Sequence, residues 1–328
     1  MLKPLFAGTL AHFIFFFIFK PPRSRNKFTS GQNAMKTTLH KLPEHKQSEI
    51  KTIVTALIPR FAEIEMIILF GSYARGTWVE DKYMEKGNTY EYKSDYDLLI
   101  ILSKNGHANS DTLTQSINSR LNELKLATPV HPIYHGIEFV NNELSEGSYF
   151  FGDIKKEGIL LFTTSRYQLA DKRDMSPAEV LAKAQRDFEN WFKTANAFFE
   201  DFENNMTKLD KDDIYHKQAA FQLHQATERY YGAIQLVFTG YKPKTHNIEE
   251  LGNLAKACNM EFGKVFPQAS PKERQSFELL KKAYVDARYN MDYKISKEDL
   301  DYLSERVQLL RKLTEEICNE KIAGFIGL

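Results

Sequence analysis

The chain has 328 residues, a length that suggests two domains, and 42% hydrophobic with 27% charged residues is a globular balance able to fill two cores. A net charge of +1 excludes bulk electrostatic attraction to nucleic acid, so any basic surface must be local. Two cysteines, Cys258 and Cys318, exclude a disulfide framework and offer no Cys/His zinc spacing, which points to a reducing, cytoplasmic compartment.

In chain order, Leu5–Phe19 is apolar and Phe-rich, and Lys20, Pro21, Pro22, Arg23 and Arg25 follow it. The run is shorter than the ~20 residues of a membrane helix, and Gly8, Thr9 and His12 interrupt it. It lacks the basic start and small-residue exit of a signal peptide. Residues 1–34 therefore read as a disordered leader, or as sequence upstream of a true start at Met35, with a weak membrane anchor as the rival reading; no stable membrane association is expected.

His45–Phe61 carries Ile50, Ile53, Val54, Leu57 and Ile58 at helical spacing. Ile64–Phe70 is an apolar run that predicts a buried strand, and Tyr73 to about Val79 predicts a short helix. Glu80–Lys93 is a polar excursion with a turn signal at Gly87-Asn88 and strand character over Thr89–Tyr92. Tyr96–Leu102 predicts a second core strand and Asp111–Leu126 an amphipathic helix. Val130–Val140 predicts a third strand, interrupted by Pro132 and Gly136, and Pro132 marks it as an edge or a strand start. Tyr149-Phe150-Phe151 and Ile159–Phe162 complete a domain that alternates strands and helices.

Beyond Leu169 only helical periodicity remains, after a polar joint at Asp171–Ser176. Ser176-Pro177-Ala178-Glu179 is an N-cap with Pro at the first helical position and Glu at the third. Helices are expected over Pro177–Asn204, Asp212–Phe238 (closed by Gly240), Asn247–Ala257, Ser270–Asp292 and Ser296–Ile322, the last behind a second capping box at Ser296–Asp299. This half reads as an all-α bundle. The expected division is 1–34, 35–170 and 174–328.

The chemistry concentrates at two segments. Leu69-Phe70-Gly71-Ser72 runs from a strand into a tight turn and a helix start, where backbone N–H groups and a hydroxyl can meet phosphate. Ser94-Asp95-Tyr96-Asp97 opens the next core strand, and alternation puts Asp95 and Asp97 on one face. Two carboxylates side by side repel unless a cation sits between them, and Mg²⁺ suits oxygen ligands. Together they suggest a metal–nucleotide site.

This order of strand, Gly-Ser turn, helix and Asp-x-Asp resembles the nucleotidyltransferase superfamily of DNA polymerase β and the minimal nucleotidyltransferases, closely over Ile64–Leu102 and loosely over Met35–Leu169. The resemblance implies an α/β (α+β) domain with a small mixed sheet. It assigns Gly71 and Ser72 to the β- and γ-phosphates of a nucleoside triphosphate and Asp95 and Asp97 to Mg²⁺ (or Mn²⁺). Arg75 stands within a turn of Ser72 and is either a phosphate ligand or a surface arginine. The superfamily usually supplies a third carboxylate from the next strand. Here that segment holds His131, His135 and, as its nearest acid, Glu138, whose alternative is a structural role. The long gap between turn and carboxylates also departs from compact members.

The helical half resembles HEPN domains over about Pro177–Glu320. Ala220, Leu223, Gln225, Ala226 and Glu228 carry that family's first helix signature, Gly240 with Thr245-His246-Asn247 its joint, and Asp286-Ala287-Arg288-Tyr289 its late helix. HEPN ribonucleases follow the arginine by a histidine four to six residues later; here Tyr293 stands in that place, and a phenol with a pKa near 10 is a poor proton shuttle. His224 and Glu228, one helical turn apart, are expected to pair with Arg288 across the bundle, as a structural network or as an anion or nucleotide pocket. His246 is expected to cap or pack.

The leading expectation is a Mg²⁺-dependent nucleotidyltransferase that moves NMP from an NTP, with ATP the first choice, to an acceptor hydroxyl on a small molecule, a protein or an RNA. The HEPN half would supply homodimerisation and acceptor or nucleotide binding. The alternatives are a toxin–antitoxin-like or defence module acting on RNA, and a non-catalytic nucleotide sensor.

Overall fold

The computed structural model describes residues 35–85 and 88–326. The apolar leader and Gly87 of the expected turn lie outside the described residues. The chain divides into two units, one holding the residues up to Glu146 with Phe151–Asp171, the other Gly147–Phe150 with the residues from Lys172 onward.

The first unit is built on β1 (Ile64–Phe70), whose first six residues are all buried. It lies inside a four-stranded mixed sheet of order β5-β4-β1-β6. β4 (Tyr96–Leu102) runs antiparallel to β1 with Phe70 opposite Asp97, and parallel to β5 (Val130–Gly136) with Asp97 opposite His131. β6 (Ile159–Thr163) closes the other side of β1, antiparallel. Strands buried on both faces read as continuous apolar runs, which is why β1 and β4 fall where the sequence places them. β5 is an edge strand, as Pro132 indicates. The helices of this unit are α1 (Glu44–Leu57), the short α2 (Gly71–Arg75), α3 (Asn105–Ala108), α4 (Asp111–Glu123), α5 (Ile137–Ser145) and, from Phe151 onward, α6 (Tyr149–Glu157).

Three elements differ from expectation. The third strand stops at Gly136, and Ile137, Val140 and Leu144 bury one face of α5 instead. Their spacing of three and four is helical, and a strand over 130–140 would point Ile137 and Val140 to opposite faces. The short helix begins at Gly71, not Tyr73, because β1 turns directly into it. The polar excursion is a regular hairpin, β2 (Glu80–Glu85) with β3 (Asn88–Lys93).

A buried cation ties this unit together. Lys46 is 2% exposed, on the same stripe of α1 as Ile50, Ile53, Val54 and Leu57. Its Nζ donates to Glu80 and, at 2.6 Å, to Thr128 Oγ1. It also lies 5.5 Å from the Tyr73 ring centre and 5.9 Å from that of Tyr96. Tyr96 donates in turn to Glu49 Oε2 at 2.8 Å, and Glu49 Oε1 accepts from the Ala127 N–H. A buried ammonium is tolerable when its donors are matched in this way.

The second unit is helical: α7 (Pro177–Met206), α8 (Ile214–Thr239), α9 (Ile248–Cys258), a 3₁₀ turn at Met260–Lys264, α10 (Pro271–Tyr289) and α11 (Lys297–Ala323). α8 is central and packs on the other four helices. Ala219, Ala220, Ala226, Gly232 and Ala233 leave those neighbours room to approach, and a Cβ at Gly232 would meet the Trp191 ring. The Ser176–Glu179 capping box forms, a second stands at Ser270–Glu273, and Gly240 takes the left-handed cap at φ +70°. At α11 the Ser296 hydroxyl accepts from the Asp299 N–H and donates to the Asp299 carboxylate, which also accepts from Ser276 and Lys272. The helix start is thereby stitched to α10, and these three donors hold the Asp299 carboxyl below its usual range against the opposing effect of burial.

Lys46→Met keeps the aliphatic stem but strands its partners, and urea unfolding should show a loss of about 1–3 kcal/mol. The Lys46 ammonium is held above the ordinary lysine value of 10.5, burial being outweighed by its bonds to Glu80 and Tyr73. Its contribution is therefore complete below that pH and lost as pH rises through the raised value, where wild type and variant should converge.

Candidate functional site

β1 delivers the chain to Gly71 with φ +72°, a conformation that suits glycine. A Cβ at this position would collide with the Asp97 carboxylate, so the turn and the second aspartate lie in direct apposition. α2 then runs to Arg75 and is closed by Gly76 in the left-handed region. Tyr73 pins this short helix: it is 1% exposed, stacks on Trp78 at 5.4 Å and packs on Tyr96 at 4.6 Å.

Tyr96, between the two aspartates, is fully buried, whereas Asp95 is exposed and Asp97 about a quarter exposed. That alternation sends both carboxylates away from the Lys46 layer and toward the side of the Gly-Ser turn. The Asp95 carboxyl is raised above its ordinary value of 3.8, first by partial desolvation and second by the charge of Asp97, with His131 opposing. His131 Nδ1 lies 3.5 Å from Asp97 Oδ1. Arg75 is exposed, and its guanidinium reaches Glu157 only at 3.9 Å.

The structure thus brings Gly71, Ser72, Asp95, Asp97 and His131 to one end of the sheet. It does not bring Glu138 there. Glu138 stands in the first turn of α5, past Gly136 at the opposite end of β5, itself roughly 16 Å along the strand from His131, and accepts from Asn105 Nδ2 at 3.3 Å. As donors for a divalent cation, Asp95 and Asp97 fit: both supply oxygen, and their mutual repulsion is what a cation relieves. Among the described residues no group of three His, Cys, Asp or Glu side chains is arranged to hold an ion.

The sequence reading overlooked Lys46, Glu80 and Thr128, which support the site from beneath. One signal was available: Lys46, Ile50, Ile53 and Leu57 fall on a single helical stripe, and a lysine in such a stripe calls for a buried partner.

In the helical unit the expected polar residues separate. Glu228 pairs with Lys242 Nζ at 3.4 Å and His246 Nδ1 at 2.8 Å, not with Arg288. The joint between α8 and α9 brings those two partners close, whereas Arg288 sits at the exposed end of α10. Its Nε donates to the Tyr284 carbonyl at 2.7 Å, and its guanidinium covers Tyr284, Tyr289 and Phe221 at 4.6, 4.9 and 5.1 Å. His246 stacks on Tyr284 at 4.2 Å, consistent with a packing role, and Asn247 caps α9. His224 is fully buried, and burial pushes its imidazole down to about 4, helped by the charges of His246 and Arg288 and opposed by Glu228. It is neutral at neutral pH. Tyr293 is 4% exposed and donates to the Leu279 carbonyl at 3.0 Å, a core contact rather than a partner for Arg288.

Residues 51–167 match the family model described as polymerase beta, nucleotidyltransferase, and residues 188–317 match that of the HEPN domain. No curated protein matches the chain. The described residues contain no helix long and apolar enough to cross a membrane.

Because Asp95 bears a carboxylate that desolvation and Asp97 both disfavour, Asp95→Asn should raise the melting temperature of the metal-free protein at pH 7. A raised carboxyl costs stability above its folded value and nothing below 3.8, so the difference should shrink as pH falls toward 4. Calorimetry in EDTA across pH 4–7 measures both the sign and the trend.

Proposed function

We propose that this chain, a polymerase-β-type nucleotidyltransferase domain fused to a HEPN domain, transfers NMP from an NTP, with ATP as the first donor to test, to an acceptor hydroxyl. The observation that carries the reading is the apposition of Gly71 and Asp97, which sets the Gly-Ser turn against a carboxylate pair at one sheet end.

In this reading the Ser72 hydroxyl and the N–H groups that follow Gly71 hold the β- and γ-phosphates, and Arg75 swings from its loose pair with Glu157 onto phosphate charge. Asp95 and Asp97 would hold a divalent cation, which when bound neutralises triphosphate charge. Tyr73 and Tyr96, locked over Lys46, keep turn and strand in register so that the acceptor oxygen and the α-phosphate meet in one orientation.

The HEPN half would supply homodimerisation and an acceptor or nucleotide surface. Val285, Tyr289 and Met291, near or just past the end of α10, are 52%, 74% and 89% exposed, an apolar group that a second copy could cover. RNA cleavage finds less support, since Tyr293 is committed to the core. A nucleotide sensor without turnover is favoured by one observation, the imidazole of His131 abreast of Asp97.

Incubation with α-labelled ATP, Mg²⁺ and a panel of small-molecule, protein and RNA acceptors should release pyrophosphate and label an acceptor. Asp97→Ala should lower that rate by ~100-fold or more. Tight ATP binding with no turnover across the panel would replace transferase by sensor. Gly71→Ala should weaken nucleotide binding by displacing Asp97, with little effect on the melting of the helical unit, since its damage is local to the turn.

A further inference from the structure

The register of β4 and β5 bears on how many cations the site can take. The two strands run parallel with Tyr96 opposite Val130, Asp97 opposite His131 and Leu98 opposite Pro132. Residues abreast in neighbouring strands share a face, so His131 is the side chain β5 presents beside Asp97, while Val130 and Pro132 belong to the face of Tyr96 and Leu98. On the other flank β1 offers Phe70 and then the turn of Gly71 and Ser72. Among the described residues the carboxylates brought together here are those of Asp95 and Asp97, with Ser72 next in chain to the glycine that abuts Asp97.

One Mg²⁺-like ion takes six oxygens and is satisfied by two carboxylates, phosphate oxygens and water. A second ion about 4 Å away requires further anionic oxygen, and the side of Asp97 turned away from Gly71 is the β5 side. There the His131 ring stands 3.5 Å from the carboxylate, about as exposed as the carboxylate itself. An imidazole offers a nitrogen donor and no negative charge. Glu138 cannot substitute, being past the far end of β5 and engaged by Asn105.

We infer that the site accepts a single divalent cation, brought in with the nucleotide, because His131 fills the position abreast of Asp97 from which a carboxylate would be needed to hold a second. This rests on the nucleotide-binding reading above. It also explains why two side chains suffice: phosphate oxygens complete the coordination that no protein triad among the described residues provides.

The test counts ions rather than turnover. The full chain is saturated with a non-hydrolysable ATP analogue and dialysed against Mn²⁺, and bound Mn²⁺ is counted per bound analogue by its paramagnetic resonance signal. Wild type should hold one ion, and at least tenfold less Mn²⁺ at the same free concentration without the analogue. His131→Asn should keep the ratio at one, and His131→Asp, checked for an unchanged melting profile, should raise it to two. Two ions per analogue in wild type would overturn the inference while leaving nucleotide binding intact, and this count needs no variant to fold. A folded His131→Asp that stays at one ion would refute the role given to His131. Failure of wild type to bind the analogue would defeat the nucleotide reading itself, and the inference with it.

Discussion

The first unit depends on a contact that only the smallest residue permits: the backbone at position 71 lies against the Asp97 carboxylate with no room for a methyl group. Phe70 pairs with Asp97 across the ladder, so the end of one strand and the beginning of another are fixed to the same spot. Everything beneath holds that geometry. Tyr73 and Tyr96 reach down from the two sides of the site into one polar layer, where the Lys46 ammonium is shared among Glu80, Thr128 and the aromatic faces. The hairpin that lengthens the path from turn to carboxylates begins at Glu80, so the longest departure from a compact design is itself anchored to the same lysine.

Much of this was legible from residue order. β1 and β4 are buried on both faces and show as unbroken apolar runs, and the helical half announces itself through caps at Ser176 and Gly240 and through sustained periodicity. The end of β5 was not legible, because Ile137-Glu138-Phe139-Val140 mixes apolar and polar positions in a way that suits an extended run as well as a helix; the decision falls to burial of Ile137, Val140 and Leu144 on one face. That difference moved Glu138 from a candidate ligand to a helix start past the far end of β5. Pairings through space were hidden for another reason. Glu228 finds Lys242 and His246 because the chain doubles back between α8 and α9, and helical spacing within α8 alone carries no trace of that return.

The helical unit separates roles that its motifs list together. Arg288 remains at the surface, its charge spread over three aromatic rings, while His224 and Tyr293 are withdrawn into the interior. A guanidinium stacked in this way stays positively charged and weakly hydrated, suited to meeting an anion or a π-face. The neutral His224 contributes packing against Tyr284 instead of acid–base chemistry.

The position of β1 inside its sheet has a consequence for biosynthesis. Its partners are β4 and β6, the latter about ninety residues downstream, so the sheet cannot close until Thr163 has emerged from the ribosome. In the second unit α7 and α8 are consecutive partners, but α8 packs on α10 and α11 as well, so that core also waits for segments made later. Synthesis from the N-terminus gives the sheet a head start, and it can close while α9, α10 and α11 are still untranslated.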